Sequence, residues 1–285
     1  MRNGFAISRG LRLNGNSFPA ARRRERKGKR TMKDGENAKE TAYRELVKRV
    51  SADYRSRKTE DGQLKWCENC REINLWTYWQ GRGHFDARIL LAGQDWGSPK
   101  DEPVMRNVCD MNDGKPAEYM CGNESITDKN LVKLFASIGY AIDRDDPQNR
   151  DLFFTNFILG YRESGCSGHF DQKWARRDRP YFKELVEIIE PEVILCMGRA
   201  VFTNTLAALG CRLRPGMGSY NAFIESERNP APVPLDHGKI VHVFALAHCG
   251  ALGTLNRNRG LPDGKSLERQ ERDWSRIPAF LAEYL

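Results

Sequence analysis

The stretch Ala87-Arg-Ile-Leu-Leu-Ala-Gly-Gln-Asp-Trp-Gly-Ser98 decides how this chain folds. Its apolar run, Ile89–Ala92, has the length of a buried strand and stops at Gly93. The carboxylate of Asp95 follows in a tight turn between two glycines. Ligands of open α/β sheets collect at the carboxyl ends of such strands, so the stretch predicts a site beside Asp95.

Three further apolar runs of strand length follow, at residues 151–158, 192–198 and 240–248. Helical periodicity separates them and also precedes and follows them. The predicted helices cover residues 37–58, 127–138, 178–189, 199–209 and 266–284. The segments 98–127 and 211–238 are predicted to be irregular. Strands that alternate with helices indicate an α/β fold, here a three-layer α/β/α sandwich around a central four-stranded parallel sheet.

The net charge of +8 is concentrated at the N-terminus. Residues 1–33 hold eleven Lys or Arg and one acid, whereas the other 252 residues hold 35 basic and 37 acidic side chains. We therefore expect a basic disordered tail, residues 1–36, before one folded domain, residues 37–285. The basic cluster 22–30 could hold phosphates; the alternatives are a solvated tail, a translation start at Met32 or an organelle-targeting segment. The near-neutral domain can bind nucleic acid only through a local patch.

The chain contains eight cysteines, but its N-terminus lacks the apolar segment of a secretory signal. A reducing compartment is therefore the better interpretation, and Cys196 and Cys249 are expected to be buried thiols. No stretch approaches the roughly 18 apolar residues of a membrane span. We expect a cytoplasmic monomer without a membrane partner, associated with the nucleoid if the source is bacterial.

Polar residues lie at the ends of three predicted strands: Asp95, Asn156 and His248. In a parallel sheet they would gather at one edge. The carboxylate can orient a water, the amide can bind an amide-like base edge, and the imidazole can donate to an oxygen that gains negative charge. The alternatives are that Asp95 caps the next turn, that Asn156 satisfies a loop backbone and that His248 is a core histidine.

These strand ends resemble motifs of the uracil-DNA glycosylase superfamily. Gly93-Gln-Asp-Trp-Gly97 is similar to its Gly-Gln-Asp-Pro-Tyr motif, and the glycine in fifth place is closer to the iron–sulfur branch. Thr155-Asn156 resembles the uracil-reading segment, and His248-Cys-Gly-Ala-Leu-Gly253 resembles the His-Pro-Ser-Pro-Leu-Ser motif. The run 191–198 resembles the third strand of that superfamily, and the resemblance spans about residues 60–284.

The resemblance implies a DNA glycosylase that flips a damaged nucleotide into a pocket and hydrolyses its N-glycosidic bond. Asp95 would position water and stabilise the oxocarbenium-like sugar, while His248 would hydrogen-bond the leaving base. Asn156 would bind the base edge, with Gln94, Trp96 and Tyr119 as the other base-binding candidates. Among the DNA-contact candidates, Leu252 would fill the gap left by the flipped base. Arg257 and Arg259 would lie near phosphates, and the alternative for these two arginines is a solvated loop.

One departure from the superfamily concerns the choice of base. Gly97 stands where the superfamily has a tyrosine that crowds the methyl group of thymine. The expected substrate is therefore uracil or a related deaminated base in DNA. The second hypothesis is a catalytically inactive relative that binds nucleic acid, and the third is a doubly wound nucleotide-handling enzyme. The absence of a glycine-rich phosphate loop counts against the third.

The other departure concerns a metal. Cys67 and Cys70 match the first cysteine pair of the iron–sulfur branch, but its third and fourth cysteines are missing. Cys166 and His169 lie in the loop after Asn156, and Cys-x2-Cys with Cys-x2-His is a tetrahedral zinc pattern. Histidine is an uncommon cluster ligand, so a structural zinc is favoured over an iron–sulfur cluster. The alternative is four unrelated residues. No dissociable organic cofactor is expected.

Overall fold

A computed structural model of the chain describes residues 31–57, 64–65, 85–95, 126–142, 151–162, 170, 172–211, 219–261 and 266–282. The helices are α1 Thr31–Ser56, α2 Ile126–Ser137, α3 Gln172–Ile189, α4 Arg199–Ala208, α5 Tyr220–Glu225, α6 Ala251–Arg257, α7 Glu268–Trp274 and α8 Pro278–Ala282. The strands are β1 Leu64–Lys65, β2 Ile89–Gly93, β3 Leu152–Asn156, β4 Tyr161–Arg162, β5 Val193–Met197, β6 Ala231–Pro234 and β7 Ile240–Leu246.

The main sheet has the strand order β3-β2-β5-β7-β6. The four predicted strands all form, and β2, β3, β5 and β7 pair in parallel. Strand β5 is buried along its whole length, as are β3 and the first four residues of β2, because strands of a parallel sheet are covered on both faces. The protein is therefore a mixed α/β fold with a mostly parallel sheet.

The prediction of four strands is wrong by one, because β6 adds an antiparallel edge strand beside β7. Its sequence, Ala-Pro-Val-Pro, contains two prolines, which argue against a central strand. An edge strand tolerates proline because one row of its N–H groups points away from the ladder. Only Val233 in this strand is buried.

The helices pack in two sets. Helices α1, α3 and α4 pack side by side, and α4 contacts β5 and β7. Helices α2, α6 and α7 form the other set, in which α7 contacts α2, α6 and β7. No helix in the described part of the chain combines the length and the apolar composition that crossing a membrane requires.

Several helix boundaries differ from the prediction. Helix α1 begins at Thr31, so residues 31–36 belong to the helix and not to the predicted tail; a helix can extend beyond its packed part without an apolar pattern. Helix α3 begins six residues early, at Gln172, because its first turns are rich in arginine and carry little apolar signal. The predicted helix 266–284 is two helices, and Pro278 starts the second, a position where its missing N–H has no cost.

Candidate functional site

The carboxyl ends of β2, β3 and β7 lie at the same edge of the main sheet, as the strand pattern predicts. Gly93 is the register partner of Asn156, and Asp95 follows two residues later. His248 follows two residues after β7 ends. Burial lowers the pKa of His248 and the charge of Asp95 opposes that shift, so the two catalytic candidates lie within electrostatic reach of each other.

Gly93 allows the first two of these strand ends to approach closely. A Cβ at this position would lie 2.3 Å from Oδ1 of Asn156, which only glycine avoids. Past the strands, the N–H of Phe157 donates to the Gly93 carbonyl at 2.9 Å and that of Ile158 to the Gln94 carbonyl at 3.0 Å. Asn156 is thus buried and held against the turn that carries Asp95.

Gln94 has a contact that the sequence did not suggest. Its Nε2 donates to Oδ2 of Asp95 at 2.9 Å, so the side chain that was expected to bind the base also orients the carboxylate. Base binding by Gln94 remains a prediction.

The tautomer of His248 follows from its hydrogen bond. Its Nδ1 accepts the backbone N–H of Gly250 at 2.9 Å, so the neutral ring carries its proton on Nε2. His248 is exposed as a residue, yet the partial burial of its imidazole lowers its pKa below the ordinary 6.5 of histidine, and the charge of Asp95 opposes that shift only in part. At neutral pH the group is therefore an uncharged imidazole that donates from Nε2.

Two glycines allow the His248 loop to fold this tightly. A Cβ on Gly250 would lie 2.9 Å from Nδ1 of His248 and 3.0 Å from Oγ1 of Thr127. A Cβ on Gly253 would lie 2.1 Å from the His248 carbonyl oxygen. The resembled motif has serine at both positions, but the close contacts in this loop require glycine at each of them.

Three buried polar side chains that the sequence did not single out support the same loop. Nδ2 of Asn130 and Oγ1 of Thr254 donate to the Cys249 carbonyl at 2.7 and 3.1 Å. Nε2 of Gln270 donates to the His248 carbonyl at 3.4 Å. Polar residues are common on amphipathic helices, so only the burial of these three reveals their role. The loop is therefore fixed from α2, α6 and α7.

The DNA-contact candidates separate into exposed and buried residues. Leu252 is 75% exposed on α6, and Arg259 is exposed with its Nη2 donating to Asn256. Arg257 is only 2% exposed; its Nε and Nη2 donate to Asp273 at 2.6 and 2.7 Å. Its Nη1 donates to Glu225 at 2.8 Å. The prediction that Arg257 contacts phosphates is wrong, because its guanidinium is buried and committed to two carboxylates.

Arg199 is a further candidate that no motif in the sequence indicates. It is exposed and begins α4 directly after β5, the strand that lies between β2 and β7. A Cβ on the preceding Gly198 would lie 4.0 Å from Cβ of His248, so the two strand ends are adjacent. The backbone of Arg199 therefore lies near the loop that carries His248.

The expectation of buried thiols is confirmed for Cys196 and Cys249. Both are buried and form no disulfide, and burial raises the pKa of Cys196 to about 12 and also raises that of Cys249. Neither sulfur is a thiolate at neutral pH, so Cys249 is unsuited to act as a nucleophile beside His248.

Several predicted site residues lie outside the described residues. They are Trp96, Tyr119, Cys67, Cys70, Cys166 and His169. Strand β1 ends two residues before Cys67, and it pairs with β4, which ends four residues before Cys166. This pairing ties together the segments that lead to both halves of the predicted metal site. Within the described residues, no group of three or more His, Cys, Asp or Glu side chains could hold a metal ion.

No known protein-family model matches this chain, and the search of curated proteins likewise found no match. The geometry of the sheet edge therefore carries the functional argument.

Proposed function

We propose that the protein is a DNA glycosylase that hydrolyses the N-glycosidic bond of uracil or a related deaminated base. The observation that carries the proposal is the convergence of Asp95, Asn156 and a neutral His248 at one edge of a mostly parallel sheet.

We also propose that the two helix sets cover opposite faces of the sheet as a three-layer sandwich. The connection from β2 to β3 and the connection from β5 to β7 run in opposite directions along the sheet, and right-handed crossovers then place their helices on opposite faces.

Each of the three groups has a role in this reaction. The Asp95 carboxylate, oriented by Gln94, holds the attacking water and stabilises positive charge on the sugar as the bond to the base breaks. The electron pair of that bond leaves with the base, the water adds to C1′ of the sugar, and the proton that the water gives up to Asp95 ends on the released base anion. Nε2–H of His248 then donates to the base oxygen that carries the new negative charge, and Asn156 pairs with the amide-like edge of the base. A base inside duplex DNA is out of reach of such groups, so the nucleotide has to flip out.

Product formation tests this proposal. The full-length protein is incubated with single- and double-stranded oligonucleotides that contain uracil, hypoxanthine or xanthine, and abasic sites are then cleaved with alkali. We expect product on at least one lesion and its loss in Asp95→Ala and in His248→Ala. Asp236→Ala and His237→Ala are matched controls, because both residues are exposed in the turn that joins β6 to β7, at the opposite edge of the sheet.

The result also separates the enzyme from a binding protein. Tight DNA binding without abasic product on any lesion would contradict the glycosylase proposal and support a catalytically inactive nucleic-acid-binding protein. Equal product from the control variants and the site variants would show that the sheet edge is not the active site.

We further propose that Cys67, Cys70, Cys166 and His169 bind a structural zinc ion. The donor set fits, because three thiolates and one imidazole suit tetrahedral zinc, and the β1–β4 pairing joins the segments that lead to these residues. The metal would tie these segments together; no step of the reaction requires it. Elemental analysis of the purified protein should give about one zinc per chain, and the Cys67→Ser/Cys70→Ser variant should lose it while Cys211→Ser retains it. Protein without stoichiometric zinc would contradict this assignment.

A further inference from the structure

Helix α3 concentrates positive charge in its N-terminal half. Residues 172–180 contain four cations and one acid, whereas residues 181–189 contain one cation and two acids. The cations of the first half are Lys173, Arg176, Arg177 and Arg179. Its acid, Asp178, is fully buried and faces the protein interior, so it does not neutralise the surface.

This charge distribution opposes the helix dipole. The N-terminus of a helix carries partial positive charge and favours acidic side chains, while cations are favoured at the C-terminus. Helix α3 has no acid in its first turn and no basic residue in its last turn. The helix dipole therefore does not account for the position of these cations.

The basic half of α3 lies at the level of the candidate site. Oδ2 of Asp178 accepts the backbone N–H of Leu159 at 2.8 Å, three residues after Asn156. The helix runs antiparallel to β3, because its last residue, Ile189, leads directly into β5. Residues before Asp178 therefore extend beyond the carboxyl edge of the sheet, and Lys173 lies about 8 Å further along the helix axis.

The helix is rigidly fixed at this level. The Tyr54 hydroxyl donates to Oδ2 of Asp178, and Nη2 of Arg57 donates to its Oδ1 at 3.2 Å. A Cβ on Gly160 would lie 2.1 Å from the Tyr54 ring, so the chain after β3 also packs closely against α1. The basic turns thus have a fixed position relative to Asn156.

Three of the cations share one face. Lys173, Arg176 and Arg177 are exposed, and their spacing of three and four residues makes them neighbours on the helix surface. Arginine binds phosphate oxygens through two parallel hydrogen bonds, and lysine adds a point charge. We propose that these three residues form a phosphate-binding ridge that holds the nucleic-acid backbone beside the candidate site. The identity of the ligand as DNA rests on the proposed function.

The ridge is tested by salt-dependent binding of undamaged DNA. The full-length protein and the variant Lys173→Gln/Arg176→Gln/Arg177→Gln are titrated with labelled single-stranded and duplex oligonucleotides at several salt concentrations, with fluorescence anisotropy as the readout. The control is Lys48→Gln/Arg49→Gln/Lys183→Gln, which removes the same charge from two exposed positions on α1 and a partly exposed one on the C-terminal half of α3. Both variants retain the basic tail.

The ridge variant should bind DNA at least about tenfold more weakly at low salt. The slope of log binding constant against log salt concentration should fall in magnitude by about 2 to 3, because each lost phosphate contact removes about 0.9 with duplex and about 0.7 with single-stranded DNA. The control should remain within about twofold of the wild type. Thermal melting of both variants checks that binding is compared between folded proteins.

Equal effects of the two triple variants would show that net charge alone drives binding and would overturn the ridge. An unchanged salt slope in the ridge variant, or no DNA binding by the wild type, would also overturn it. These measurements use undamaged DNA and do not depend on catalysis. A ridge effect without abasic product on any lesion therefore refutes only the glycosylase proposal, and product without a ridge effect refutes only the ridge.

Discussion

Gly93→Ala is the sharpest test of how the candidate site is assembled. The new Cβ would lie 2.3 Å from Oδ1 of Asn156, well inside van der Waals contact, and the amide would have to move. Asn156 is buried and ends a fully buried strand, so there is little room for it to retreat. Such overpacking costs about 1–3 kcal/mol of unfolding free energy.

The effect on activity should be larger than the effect on stability. A misplacement of about 1 Å in a binding group costs on the order of 100-fold in rate. We therefore expect Gly93→Ala to reduce single-turnover excision by about 100-fold, while its melting temperature falls by only about 2–10 °C.

Gly210→Ala provides the matched control. Gly210 follows α4 with a φ of +75°, and a Cβ there would contact nothing within 4 Å. Alanine at this position costs roughly 1–2 kcal/mol of backbone strain without touching the site. It should lower the melting temperature to a similar extent and leave excision within about twofold of the wild type. Wild-type excision by Gly93→Ala, or equal losses in both variants, would refute the reasoning that Gly93 positions Asn156.

Three further predictions follow from buried and titrating groups. Protonation of His248 places a second donor opposite the Gly250 N–H, so kcat/KM should fall as the pH drops through a pKa below 6.5. The neutral ring also contributes folding stability, which is fully present above pH 6.5 and is lost as the pH falls to the pKa of the folded state. A loss of activity centred at or above pH 6.5 would contradict this view. Arg257→Ala leaves the carboxylate of Asp273 buried and unpaired, so chemical denaturation should show a loss of about 3–5 kcal/mol of unfolding free energy. Unchanged stability with weakened DNA binding would instead support a phosphate contact by Arg257. Tyr54→Phe should cost about 1–3 kcal/mol in the same assay by removing a donor from buried Asp178, and a neutral effect would show that this hydrogen bond contributes little.

Local pattern was enough to predict the main strands. The runs at 89–92, 151–158, 192–198 and 240–248 are largely apolar because parallel strands are covered on both faces. The convergence of Asp95, Asn156 and His248 then followed from parallel topology alone. Strand β6 was not predicted because its two prolines argue against a strand unless the strand is known to lie at the edge of a sheet, which the sequence does not reveal.

Tertiary partners decided what local pattern did not. Arg257 and Arg259 have the same chemistry two residues apart, but only Arg257 meets carboxylates from α5 and α7 and becomes buried. Asn130 looks like an ordinary polar residue of an amphipathic helix until the His248 loop is folded against it. The partners of Arg257 lie 16 and 32 positions away and that of Asn130 lies 119 positions away, so the sequence gives no local sign of these roles.

The prolines of β6 also determine how the sheet ends. The N–H of Leu235 points toward β7 and donates to the Lys239 carbonyl. Because N–H directions alternate along a strand, an N–H at positions 232 and 234 would point away from β7, and both of these positions are proline. Because proline has no N–H, this margin offers another chain no donors at those positions. The sheet therefore resists growth by the addition of a sixth strand here, which protects a largely apolar sheet from edge-to-edge aggregation.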